Sequence, residues 1–181
     1  MKAPRHHLEA DMAAPVVRFL ERRGYRTYRD PDGKDYLDLV ARRGEELGLV
    51  ELKLSAARTV LGQALRRRGW GDWVAVALDG RRAAERALAA SPSGHSERVG
   101  VLAVLGEEVE ELRPAAPVHG AGCFHPFPEL RARLVLLLDA VDSGELPAGI
   151  GWGALWRSDS GGRHAGREWR IEELAPPSES D

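Results

Sequence analysis

Cysteine is almost missing from this sequence: 181 residues carry one, Cys123. A disulfide framework within the chain is excluded, and so is a metal site built on clustered thiolates. No apolar run approaches the length that crosses a bilayer, since LVLLLDAV is short and broken by Asp139. The opening MKAPRHHLEAD lacks the apolar core of a signal peptide, so a cytoplasmic protein with no membrane partner is expected. An excess of one charge is missing too. The formal net charge is −2, so nothing in the global balance announces nucleic acid. There is no G-x-S-x-G and no paired Cys-His arrangement for acyl transfer. The glycine-rich stretch SDSGGRHAG, residues 158–166, lacks the Gly-Lys-Ser/Thr ending of a phosphate loop.

What remains is an ordinary globular composition, 43% apolar and 30% charged, long enough for one domain with a proper core plus an appendage. Charge is unevenly placed. Arg66, Arg67 and Arg68 form a run, and Arg18, Arg22, Arg23, Arg26 and Arg29 crowd the end of the first helix and the segment after it. These arginines read either as a solvated face or as a phosphate-contacting patch.

The apolar periodicity predicts a helix over Leu8–Arg23 with Gly24 as its stop. Pro15 either kinks it or is a first-turn residue with a separate turn before it. Strands are expected at Tyr25–Tyr28, Tyr36–Arg42, Leu49–Leu54, Trp73–Leu78, Val99–Leu105 and Val109–Leu112, with helices at Ala57–Arg68 and Arg81–Ala90. That order describes an α/β fold, a mixed sheet flanked by helices. At 113–128 the composition shifts to Pro, Ala, Gly and His, as in a linker, and a Leu-rich helix is expected next, at Glu129–Val141. A further strand is expected at Glu168–Ile171, and the tail 176–181 has a disordered composition. The expected division is a core over residues 1–115 and a linker, helix and C-terminal extension over 116–181.

Chemistry concentrates in one place. The run DYLDLVARRGEELGLVELKLS reads as two strands joined by a turn. Leu37, Leu39 and Ala41 alternate with Asp38, Val40 and Arg42. Val50, Leu52 and Leu54 alternate with Glu51 and Lys53. If Arg43 faces Gly48 across a six-residue polar connection, Asp38 faces Lys53 and Val40 faces Glu51, all on one face of the sheet. Two carboxylates and an ammonium at one point can hold a divalent cation beside a phosphate. They can equally be a cross-strand ion pair worth a few tenths of a kcal/mol. The apolar neighbours of Glu51 argue for an enclosed place, where carboxylates are costly unless paired or metal-bound.

This helix-strand-strand-strand-helix-strand order, with Asp38 on the second strand and Glu51-Leu52-Lys53 on the third, resembles the PD-(D/E)XK nuclease superfamily, the restriction-endonuclease-like fold. The resemblance covers residues 5–112. VELKLS, succeeded by a helix containing Gln63 and an apolar strand, is similar to uncharacterised bacterial members with VELKxS and to archaeal Holliday-junction resolvases. The resemblance implies a restriction-endonuclease-like core and a nuclease hydrolysing phosphodiester bonds, with DNA as the expected nucleic-acid partner. Asp38, Glu51 and the Leu52 carbonyl would hold Mg²⁺ or Mn²⁺, for which hard oxygen ligands are suited. Lys53 would orient or activate the attacking water and offset phosphoranyl charge. Gln63 would position the water or touch a phosphate, and reads equally as a half-buried polar residue. Many members add an acid from the first helix, which Glu9 or Asp11 could supply. Many also dimerise, so a homodimer is among the expected states. The alternative is a non-catalytic nucleic-acid-binding or scaffold protein that keeps the nuclease fold.

Other candidates read as structural. His6 and His7 are adjacent and point apart, and His119 and His125 flank Cys123 at a spacing that fits no common zinc pattern. Trp70 and Trp73 bracket the start of a strand, either as core residues or as a platform for unpaired bases.

Overall fold

Alternating and continuous apolar runs in the middle of the chain form strands, and the strands form one six-stranded mixed sheet flanked by helices. The computed structural model describes residues 8–29, 38–55, 60–67, 70–90, 95–117 and 128–145. Cys123, Arg68, the glycine-rich stretch, the 168–171 strand, the tail and the histidines lie outside these residues. The exception is His95, whose backbone alone is described.

A 3₁₀ turn, Glu9–Met12, leads into helix α1, Ala13–Glu21. Pro15 therefore sits in the first turn of α1, where its missing N–H costs nothing. Strands β1, Arg26–Arg29, β2, Leu39–Arg43, and β3, Glu46–Lys53, form an antiparallel meander. Helix α2, Val60–Arg67, carries the chain to β4, Trp73–Asp79, and α3, Arg81–Ala89, carries it to β5, Gly100–Leu105. Both crossovers join parallel neighbours. A short 3₁₀ turn, His95–Arg98, precedes β5. Strand β6, Glu108–Arg113, returns antiparallel to β5, and α4, Pro128–Asp142, comes last. Spatial order equals chain order, β1-β2-β3-β4-β5-β6.

The expected register of the hairpin is wrong by two residues. Arg43 pairs with Glu46, Val40 with Leu49 and Leu39 with Val50. Only Gly44 and Glu45 make the turn. Gly44 has φ +59°, the left-handed value that a two-residue hairpin demands of its first central residue. The longer polar connection fails because Leu47 is fully buried. Burying it and adding two rungs to the ladder outweigh the looser loop. A slip of two preserves side-chain parity, so Asp38, Glu51 and Lys53 remain on one face. Extended by one residue, the register sets Asp38 across from Glu51 rather than from Lys53.

The sheet is covered on both sides. Leu39, Ala41, Val50, Leu52, Ala77 and Val104 pack beneath Met12, Val16 and Leu20 of α1 and its lead-in. Val40, Leu49, Val76 and Leu78 face α2, α3 and α4 through Val60, Ala84 and Leu138. Strands β4 and β5 read as unbroken apolar runs because both their faces are buried.

Helix α4 docks on this same core through Leu134, Leu137 and Leu138. Its end is tied to the meander by charge. The Tyr28 hydroxyl donates to Asp142 at 2.8–2.9 Å, Arg26 meets Asp142 at 2.9 Å, and Arg42 pairs with Asp139. Burial pushes the Tyr28 phenol up to about 12, helped by Asp142 accepting its hydrogen bond. No described helix is long and apolar enough to cross a membrane.

Candidate active site

The pleat of β3 sends Glu51 and Lys53 to one face near the strand's C-terminal end. Asp38 stands just ahead of β2, where the meander brings it alongside. The 3₁₀ turn before α1 touches the same end of β3 and delivers Glu9. Four side chains from three separate stretches of sequence thus meet.

Lys53 Nζ lies 3.0 Å from Glu9 Oε2, 3.2 Å from Glu51 Oε1 and 3.9 Å from Asp38 Oδ2. Asp38 Oδ2 also accepts the Leu52 backbone N–H at 2.7 Å, which fixes the carboxylate against β3. Glu51 is 5% exposed and is the one charged residue in the described core. The other three side chains are half-buried to partly open, with Glu9 outermost at 43%. Three carboxylates around one ammonium leave a formal charge of −2 in a half-enclosed place. Such a group is held together by the ammonium and remains short of positive charge.

The geometry chooses between the two first-helix acids. Glu9 reaches Lys53, whereas Asp11 turns back on its own turn and accepts the Leu8 N–H at 2.9 Å. Gln63 lies on α2 as expected, but its side chain is outside the described residues, like those of Arg66 and Arg67. The arginines around α1 are largely engaged. Arg18 pairs with Glu107, Arg23 grips Glu111 through two hydrogen bonds of 2.9–3.0 Å, and Arg26 is held by Asp142.

The oxygen donors suit a hard cation in number and charge. Among the described residues, however, no three His, Cys, Asp or Glu side chains are arranged to hold a metal ion as they stand. The reason is visible in the distances: the ammonium of Lys53 fills the centre that the carboxylates share.

The sequence singles out Trp73 but not the residues gathered around it. Trp70 is core, 3% exposed, but Trp73 is only half-buried and lines a cavity with Tyr25, Arg43 and Glu46. Its signal was the glycine at position 48, which pairs directly with Trp73 across β3 and β4. That pairing is a tertiary fact which neither residue discloses alone.

No family model matches the chain, and no curated protein matches it. Among solved structures it is similar to a protein of unknown function from Silicibacter pomeroyi, at 19% identity and a TM-score of 0.49, over 81% of this chain and 99% of that one. A likeness of that size says nothing about activity.

Proposed function

We propose that the chain is a metal-dependent nuclease of the PD-(D/E)XK type, hydrolysing phosphodiester bonds in DNA. One observation carries the reading: Lys53 Nζ stands within 3.9 Å of carboxylates from the start of the first helical segment, the residue just ahead of the second strand, and the third strand. The element order around them agrees with the fold that the motif implies. In this reading Asp38, Glu51 and the Leu52 carbonyl hold Mg²⁺ or Mn²⁺. When bound, the ion acidifies a water and polarises a phosphoryl oxygen.

The chain's own residues do the rest. The burial of Glu51 keeps one wall of the site dry, which strengthens every charge interaction there. The Leu52 N–H orients Asp38. Glu9 positions Lys53 by holding its ammonium from the open side. Lys53, a compact charge on a flexible stem, leaves its carboxylates to meet the substrate, where it orients the attacking water and offsets charge on the phosphoryl oxygens.

The competing reading is a binding or scaffold protein in which Lys53 only neutralises its neighbours. It draws support from Arg18 and Arg23, each already paired with a glutamate. Incubation with Mg²⁺ or Mn²⁺ and branched, linear, circular and single-stranded substrates separates the two. The enzyme cleaves at least one of them, and Lys53→Ala slows cleavage by about 10²–10³ with binding retained. An active Lys53→Ala variant, or no cleavage across the panel by the wild type, removes the catalytic reading.

A further inference from the structure

Where α1 ends, a cavity of about 450 Å³ opens between the helix and the sheet, within the range of roughly 300–1,000 Å³ common for small-ligand pockets. It lies at the opposite end of β3 from Lys53. Glu46 in its wall is seven residues away along the strand, roughly 20 Å at strand rise.

Its floor is an indole laid flat on the sheet. A Cβ on Gly48 would stand 1.9 Å from the Trp73 ring, so only glycine admits the ring there. Tyr25 meets that indole edge-on, centroids 5.5 Å apart at 79°. Two guanidinium planes complete the walls, Arg23 stacked 4.0 Å over Phe19 and Arg43 stacked 4.5 Å over Tyr25. Each is neutralised in place. Arg23 pairs with Glu111 at 2.9 Å and Arg43 with Glu46 at 2.8 Å.

These features select a ligand class. Flat aromatic and guanidinium surfaces favour a flat ring. Two cations balanced by two carboxylates give neither an anion nor a cation a net pull. They do offer donors and acceptors side by side, as a ring with both on its edge requires. The Trp73 N–H adds a further donor. It is buried beside the Tyr25 hydroxyl, which itself donates to Glu46 at 3.0 Å.

We propose that this cavity is a binding site for an uncharged planar heterocycle of the nucleobase class, as a free nucleoside or as an unpaired base of a single strand. The site depends on none of the carboxylates around Lys53, so it stands or falls separately from cleavage.

The test uses the full chain in metal-chelated buffer, which silences any cleavage. Binding of adenosine, guanosine, cytidine and uridine is measured by calorimetry, with ribose as the base-free control. A fluorescent single strand is then compared with an abasic strand of equal length. The expected result is binding of at least one nucleoside but not ribose. Free-nucleoside binding without preference for the base-bearing strand assigns the site to the small molecule. A base-bearing strand binding roughly 5- to 150-fold tighter than the abasic one, the factor that base–aromatic stacking supports, assigns it to the strand. Trp73→Leu and, at the exposed rim, Arg43→Ala should each erase most of the preference. Absence of any base-dependent binding overturns the proposal. So does a preference that survives in Arg43→Ala, which keeps the variant series decisive should Trp73→Leu fail to fold.

Discussion

At the scale of the residue, the ammonium of Lys53 decides how the carboxylates behave. Removing Asp38 takes away one of the two carboxylates among the three expected metal ligands and leaves Lys53 with Glu9 and Glu51. Calorimetric titration of Asp38→Ala with Mn²⁺ should therefore show affinity lowered by more than about tenfold, while Asp11→Ala, which loses the Leu8 N–H contact and not the Lys53 ammonium, should match the wild type. Equal binding in all three proteins would place any metal elsewhere. Tyr28 makes a second prediction, about pH. Its phenol titrates at about 12 in the folded chain against about 10 when unfolded. The neutral form is the one the fold favours. The contribution is complete below about pH 10 and is lost as the pH rises through about 12, at up to about 1.4 kcal/mol per pH unit. Denaturant titrations of Tyr28→Phe should lack that part of the alkaline decline. An identical decline in wild type and variant would detach it from this hydroxyl. At this scale the sequence was a good guide to Asp38, Glu51 and Lys53, because period-two alternation fixes which face a side chain takes. It was silent between Glu9 and Asp11. Both acids precede α1 by a few residues, and only the packing of the lead-in turn against β3 separates them.

At the scale of the element, strands and helices were legible and their joints were not. Strands β4 and β5 and helices α2, α3 and α4 fall within a few residues of the spans that apolar periodicity assigns. The β2–β3 turn was drawn too long because Gly44, Glu45, Glu46 and Gly48 look like loop, whereas one buried leucine among them, Leu47, sets the length. Helix α4 illustrates the other difficulty. Its Leu-rich run is apolar on nearly every side, so the pattern announces a helix without saying what it covers. The structure seats Leu134 and Leu138, both fully buried, in the main core. Leu138→Ala should accordingly lower stability by about 2–5 kcal/mol, measured by chemical denaturation. A loss below about 1 kcal/mol would mean that α4 contributes little to the core.

At the scale of the molecule, the near-neutral charge hides an internal arrangement. Acids of β6 and the turn before it take up Arg18 and Arg23, stitching α1 to the far edge of the sheet. Arg18 and Arg23 are thereby spent on the fold. If DNA is bound, the remaining basic run on and after α2 is the expected contact. Replacing Arg66, Arg67 and Arg68 with alanine should flatten the log–log salt dependence of duplex binding by up to about 2.7, whereas Arg18→Ala should leave it unchanged. The opposite pattern would put the DNA path over α1.

The identity of spatial and chain order has a kinetic meaning. Each strand of the sheet adds beside the one made just before it, so no strand must be threaded between two others. A chain leaving the ribosome can lay down β1 through β6 as a growing edge. The exception is α4, which comes last and travels back to the first strand, joining Asp142 to Tyr28 across 114 residues. Its docking is expected on the late side of the folding barrier. Truncating Leu138 should therefore accelerate unfolding and leave the refolding rate nearly untouched, whereas truncating Val76 in β4 should slow refolding. A slowed refolding limb for the Leu138 variant would place α4 in the nucleus instead.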